Sequence, residues 1–182
     1  DSQRKAYLAE GVVSAATRID RLERAIQAVK KHQKAFVEAM NEDFGHRSEH
    51  QSMFTDIASS IGPLRHAQQH LKHWVKKDKR KVTPGILALL GAKSWVEYQP
   101  LGVVGVISPW NFPVNLTFTP LAGILSAGNR CMIKPSEYTP ATSAAMAIAF
   151  AEAFDEEEIA VVTGGPQTGS DFSGLAFDHL LF

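Results

Sequence analysis

Asn111 sits between Trp110 and Phe112, with Pro109 and Pro113 outside them. The two prolines fix φ and remove N–H donors, so this turn is stiff. It follows the apolar run Val103-Val104-Gly105-Val106-Ile107, which reads as a buried strand. A carboxamide held on a rigid corner after a core strand is placed to donate a hydrogen bond into a cleft. Lys134-Pro135-Ser136-Glu137 has the same position after a second apolar run, Cys131-Met132-Ile133. A cation and a carboxylate there suit a ligand with hydroxyls or phosphates, because the ammonium donates and the carboxylate accepts. A surface ion pair is the competing reading.

Other residue groups promise less. Gly164-Gly165-Pro166-Gln167-Thr168-Gly169-Ser170 has the glycine spacing of a phosphate-binding loop, but Ser170 stands where the lysine is required. It reads as a strand-to-helix turn that could give a supporting contact to a cofactor. No G-x-G-x-x-G fingerprint occurs. His66, His70 and His73 share one helical face, yet Ala67 follows the first where a zinc hydrolase needs Glu. They read as a solvated face, and no metal site is expected. Cys131 begins an apolar strand with no His or acid motif beside it and reads as a core residue. Lys76 to Lys81 is a basic helix stop.

These positions need elements to hold them. Leu22, Ile26, Val29, Phe36 and Met40 follow helical spacing, with Asp20 as the expected cap and Gly45 as the end. Met53, Ile57 and Ile61 mark a second helix, which Gly62-Pro63 should kink or break. Leu64, Leu71, Trp74 and Val75 mark a third. Past a Pro84-Gly85 loop, Ser94 to Tyr98 alternates like a strand. Strand 103–108, helix 116–127, strand 131–133, helix 141–154 capped by Thr139, strand 159–162, helix 168–176 and a strand from His179 then alternate. That alternation predicts a parallel sheet with right-handed crossovers, and ligands at the carboxyl ends of its strands. Asn111, Lys134 and Gly164 all fall just past a strand end. The expected division is a helical region over 1–81, a hairpin or linker over 82–102 and a partial dinucleotide-binding domain over 103–182.

Composition narrows the function classes. The 182 residues are 45% hydrophobic, with 19 basic and 19 acidic side chains. Residues 1–81 hold 16 Lys/Arg against 10 Asp/Glu, and the remainder 3 against 9. Neither part is basic enough to point to nucleic acid. No apolar run approaches the ~18–20 residues of a membrane span, so no membrane partner is expected. The single cysteine suits a reducing compartment, and a cytoplasmic protein is expected. The start, Asp1-Ser2-Gln3, lacks a signal pattern and an initiating Met. The end, Leu180-Leu181-Phe182, falls in mid-strand, and the chain reads as a fragment.

Pro100 through Pro113, then Ala127-Gly128-Asn129-Arg130, then Ile133-Lys134-Pro135-Ser136-Glu137, resemble the aldehyde dehydrogenase superfamily in order and spacing. Asp43-Phe44-Gly45-His46-Arg47-Ser48 and Phe177-Asp178-His179-Leu180-Leu181-Phe182 are similar to its class 3-like branch. The resemblance runs from about Gln3 to Phe182. It implies an α/β fold, with a helical N-terminal region followed by a partial, truncated Rossmann-like sheet. It implies NAD, with NADP possible, and oxidation of an aldehyde, either of an aromatic coniferyl type or long and apolar, to the acid through a thioester. In that scheme Asn111 holds the oxyanion, while Ile107, Ser108, Pro109 and Trp110 line the cofactor cleft. Lys134 and Glu137 hold the adenosine ribose, Ser136 is a further cofactor-binding residue, and Gly164 and Gly169 lie on the turn passing the adenine. Pro166 departs from the glycine of many relatives. The nucleophilic cysteine and general-base glutamate would lie beyond Phe182, and the complete enzyme would be a homo-oligomer, with a dimer favoured. A non-catalytic nucleotide-binding or interaction module is the alternative function.

Overall fold

A computed structural model describes residues 1–182. Helix α1 spans Ser2–Glu10 and α2 Ala15–Phe44. Short α3, Glu49–Ser52, runs through a π-helical turn at Met53–Ala58 into α4, Ser59–Trp74. Strand β1, Asp78–Arg80, pairs antiparallel with β2, Ser94–Val96, and α5, Gly85–Leu89, lies between them. Then follow β3 Val103–Ile107, α6 Asn115–Ala127, β4 Arg130–Lys134, α7 Pro140–Ala153, β5 Ile159–Val161, α8 Pro166–Ser173 and β6 His179–Leu181. No helix is long and apolar enough to cross a membrane.

The last four strands form one parallel sheet in the order β5-β4-β3-β6. This is the expected parallel α/β architecture. Strand order runs outward from β3 through β4 to β5, then returns to the far side of β3 at β6. The reversal makes the carboxyl end of β3 a topological switch point, where open α/β sheets bind ligands. Gly105 at the centre of β3 is required by close packing, since a Cβ there would lie 2.7 Å from the Phe177 ring.

The helical region and the sheet share a single core. Helix α2 packs on α6 and α7, which pack in turn on β4 and β5. Both inner helices are apolar nearly all round, as a helix covered on two sides must be. Phe118 of α6 and Phe150 of α7 stack at 4.6 Å, and Phe36 of α2 packs on Phe118 at 6.1 Å. All three rings are essentially inaccessible to solvent.

Four expectations about elements need correction. Ser14, not Asp20, caps α2, its hydroxyl accepting from the Thr17 N–H at 3.1 Å. Asp20 lies one turn inside the helix and pairs with Arg24. Helix α4 runs unbroken through Gly62-Pro63, because buried Leu64, Ala67 and Leu71 anchor its face on α2 and α6, and packing outweighs propensity. Thr139 precedes α7 but makes no capping bond. The cap comes instead from Asp43, whose carboxylate accepts from the Ala141 N–H at 2.9 Å, the Thr142 N–H at 2.8 Å and the Thr142 hydroxyl at 2.6 Å. The partner of the Ser94–Val96 strand begins at Asp78, inside the stretch expected to be helical. Helix α1 falls inside the stretch expected to be helical, although no apolar spacing marked it. It is mostly polar and docks through Gln3, whose Nε2 donates to the carbonyls of Cys131 and Glu156, both at 2.8 Å.

Candidate functional site

The chain leaves β3 into the proline-flanked turn at the switch point. Pro109, Trp110 and Asn111 are exposed, and Pro113 and Val114 are buried beneath them. Asn111 is exposed and its carboxamide makes no hydrogen bond within the chain, while its backbone carbonyl accepts from Arg47 Nη1 at 2.8 Å. Arg47 is 8% exposed and donates from Nη2 to Asp56 Oδ2 at 2.6 Å. The other carboxylate oxygen, Oδ1, accepts the N–H groups of Val114 and Asn115, each at 3.1 Å. The guanidinium also lies over the Phe44 ring at 4.7 Å and the Phe112 ring at 5.2 Å. Trp110 rests 6.3 Å from Phe44. Burial raises the Asp56 pKa from its ordinary value, only partly opposed by the Asn115 N–H and by Arg47.

The neighbouring strand end carries the second group. Ile107 is in register with Lys134, and the Ser108 N–H donates to the Lys134 carbonyl at 3.0 Å, so the two turns leave the sheet side by side. Ser108 is buried, and its hydroxyl has no partner in the chain. The Lys134 side chain is 3% exposed, and its ammonium donates to Glu137 Oε2 at 2.7 Å. The two residues form one pair whose carboxylate is the accessible half. Ser136, Glu137, Thr163, Gly164 and Gly165 line a cleft of about 610 Å³ against the face of α7. That volume is of the size small-molecule sites use. Gly164 has φ 155°, and a Cβ there would overlap the Thr168 hydroxyl, so the close turn into α8 requires glycine. Pro166 takes the first position of α8, where its missing N–H costs nothing. A Cβ on Gly169 would lie 3.7 Å from Lys134 Cε.

The structure therefore brings Ser136, Glu137 and Gly164 together around one cleft, with Lys134 behind Glu137 and Gly169 behind Lys134. Ile107, Ser108, Pro109, Trp110 and Asn111 stand outside that cleft, at the end of the adjacent strand. Cys131 lies in the core, fully buried, and burial pushes its thiol pKa up. The His66 and His70 rings stack at 4.1 Å on the exposed face of α4. Sequence reasoning gave Arg47 and Asp56 no role in the site. Arg47 lies 64 residues from Asn111, and only contact in the fold joins them.

Comparison with known proteins adds a family. The profile of the aldehyde dehydrogenase family matches residues 2–175. The chain is 59% identical over 180 residues to a probable coniferyl aldehyde dehydrogenase of Caulobacter vibrioides, covering 99% of this chain and 37% of that protein. It is 46% identical over 182 residues to the coniferyl aldehyde dehydrogenase of a Pseudomonas species, covering 100% of this chain and 37% of that protein. The substrate-bound state of Staphylococcus aureus AldH superposes with a TM-score of 0.91 at 28% identity, covering 100% of this chain and 39% of that one. The chain thus spans little more than a third of the length of the relatives it matches.

Proposed function

The chain belongs to the aldehyde dehydrogenase family, and from that premise we propose that it is the N-terminal part of an NAD(P)-dependent enzyme oxidising an aromatic, coniferyl-type aldehyde to its acid. The observation that carries the reading is an exposed Asn111 carboxamide with no partner in the chain, on a clamped turn at the switch point. A donor fixed before the reaction stabilises a developing oxyanion without reorganising, and such donors are usually the largest single catalytic contribution.

The cleft fits the adenosine half of a nicotinamide dinucleotide. Glu137 offers a carboxylate that can accept from ribose hydroxyls, and Lys134 fixes its orientation. Ser136 and Gly164 form the walls, Gly169 packs behind Lys134, and Ile107, Ser108, Pro109 and Trp110 would flank the nicotinamide half. When bound, the nicotinamide accepts a hydride. The Glu137 carboxylate disfavours a 2′-phosphate, which favours NAD over NADP. The thioester route needs a thiolate, and Cys131, buried with a raised pKa, is not its source. That cysteine comes from elsewhere in the complete enzyme, which on the class 3-like reading is a cytoplasmic dimer. Residues 103–182 then form part of its dinucleotide-binding domain, 1–81 its helical region and 82–102 the connecting hairpin segment.

The test is Asn111→Ala in the complete protein. The expected result is a kcat lower by about 10²–10³-fold, with the dissociation constant for NAD unchanged. A kcat near that of the parent would sink the assignment.

A further inference from the structure

Arg47, in the loop between α2 and α3, and Asp56, on the π-helical turn, between them hold both ends of the turn that carries Asn111. Arg47 Nη1 takes the Asn111 carbonyl at 2.8 Å, and Nη2 takes Asp56 Oδ2 at 2.6 Å. Asp56 Oδ1 takes the N–H groups of Val114 and Asn115 at 3.1 Å each. One ion pair therefore spans residues 111 to 115. Its side chains are 5% and 0% exposed, so water competes little for these bonds. The Phe44 and Phe112 rings both lie against the guanidinium.

Stability alone does not account for the arrangement. Two buried charges lose their hydration, and a well-packed apolar pair of the same volume is often as stable or more so. What the pair supplies is geometry. A planar guanidinium fork addresses two acceptors in fixed directions, and a carboxylate receives from both the fork and two backbone amides. Asp56 sits on the π-helical turn Met53–Ala58, and the Thr55 hydroxyl lies within hydrogen-bond reach of its Oδ2, at 3.2 Å. Turns of this kind are frequent at functional sites.

We propose that Arg47 and Asp56 are positioning residues, which set the direction of the Asn111 carboxamide by clamping the backbone of its turn. The proposal rests on the oxyanion reading of Asn111. A misplacement of about 1 Å in a catalytic group costs on the order of 10²-fold in rate.

Arg47→Lys tests this in the complete protein. A lysine keeps a positive charge beside Asp56 but cannot bridge to the Asn111 carbonyl in the same fork geometry. The expected outcome is a kcat lower by about 10²-fold at an unchanged dissociation constant for NAD, which reports the folded protein. In an Asn111→Ala background, Arg47→Lys should lower kcat no further, since the group it aims is gone. A normal kcat for Arg47→Lys, or an equal extra loss in the Asn111→Ala background, overturns the positioning role. If Arg47→Lys does not yield folded protein, Asp56→Asn makes the same comparison, because its amide oxygen still accepts from Val114 and Asn115. Asn111→Ala separates the two failures. Impaired Asn111→Ala with normal Arg47→Lys sinks the clamp alone, and unimpaired Asn111→Ala sinks the oxyanion reading and the clamp together.

Discussion

The hydrogen bond from Lys134 holds the Glu137 carboxyl below its ordinary pKa, so it stays ionised at neutral pH. Its side chain is 29% exposed, on the wall of the cleft. A 2′-phosphate entering there would meet a fixed negative charge with little water between. Glu137→Gln in the complete protein should therefore move cofactor selectivity toward NADP by roughly tenfold, about 1.4 kcal/mol, after solvent screening. Titration with NAD and with NADP measures the ratio, and an unchanged ratio would mean that Glu137 does not face the 2′ position. The positions of Asn111, Lys134 and Glu137 past strand ends were legible because each lies in a short local run whose apolar part fixes a strand. The pairing of Lys134 with Glu137 stood open between ligand and ion pair, since the same spacing serves both. Arg47 and Asp56 gave no local signal, because their meaning comes from a contact across the fold.

Among the elements, the helices were readable where one face had to be apolar. Leu22, Ile26, Val29, Phe36 and Met40 of α2 are all buried to within 1% of full enclosure. Their caps were less readable. Asp43, near the C-terminus of α2, caps α7 across 98 residues of chain, whereas Thr139, adjacent in sequence, takes no part. A carboxylate at a helix N-terminus satisfies otherwise orphaned N–H groups and complements the helix dipole. Asp43→Ala should cost about 2 kcal/mol, the upper end for a lost cap, because three bonds go at once. Thr139→Ala should be close to neutral, since the buried Thr139 hydroxyl has no partner to lose. Thermal midpoints of the two variants, with amide exchange at Ala141 and Thr142, check the order. A larger loss for Thr139→Ala would show that the sequence-adjacent residue is the true cap. The α4 proline teaches the complementary point. A strong local breaker was overruled by a buried face, so local rules hold only where packing is silent.

Across the whole molecule, the proposed site and a stabilising charge network occupy opposite ends of the sheet. The cleft and the Asn111 turn lie at the carboxyl ends of the strands, and an arginine–glutamate network gathers at the amino ends of β4 and β5. Glu158, one residue before β5, accepts from Arg21 at 2.8 Å and from Arg24 at 2.7 and 2.8 Å. Glu10 of α1 accepts from Arg21 at 2.7 Å and from Arg130 of β4 at 2.8 Å. The network ties α1 and α2 to the sheet. The sequence showed its charges only as a basic surplus before residue 82, because a count of charges does not say which face each other. Burial alone would raise the Glu158 pKa, but its bonds and charge contacts with Arg24 and Arg21 outweigh this and bring it down to about 2. A carboxyl whose folded pKa lies below its unfolded value contributes stability above the unfolded value, near 4.5, and loses it as pH falls toward the folded one. The side chain is only partly enclosed, so solvent screens part of this, and the contribution at neutral pH is roughly 2 kcal/mol. Asp56 acts with the opposite sign, since its raised pKa removes stability as pH climbs past the ordinary carboxylate range. A single acid-unfolding curve therefore mixes the two, whereas the difference between the parent and Glu158→Gln isolates one. That difference in unfolding free energy should be roughly 2 kcal/mol at pH 7, shrink between about pH 4.5 and pH 2, and vanish below that. Thermal midpoints of both proteins across this window measure it. A gap that persists undiminished at pH 2 would show that Glu158 acts through packing and not through its charge.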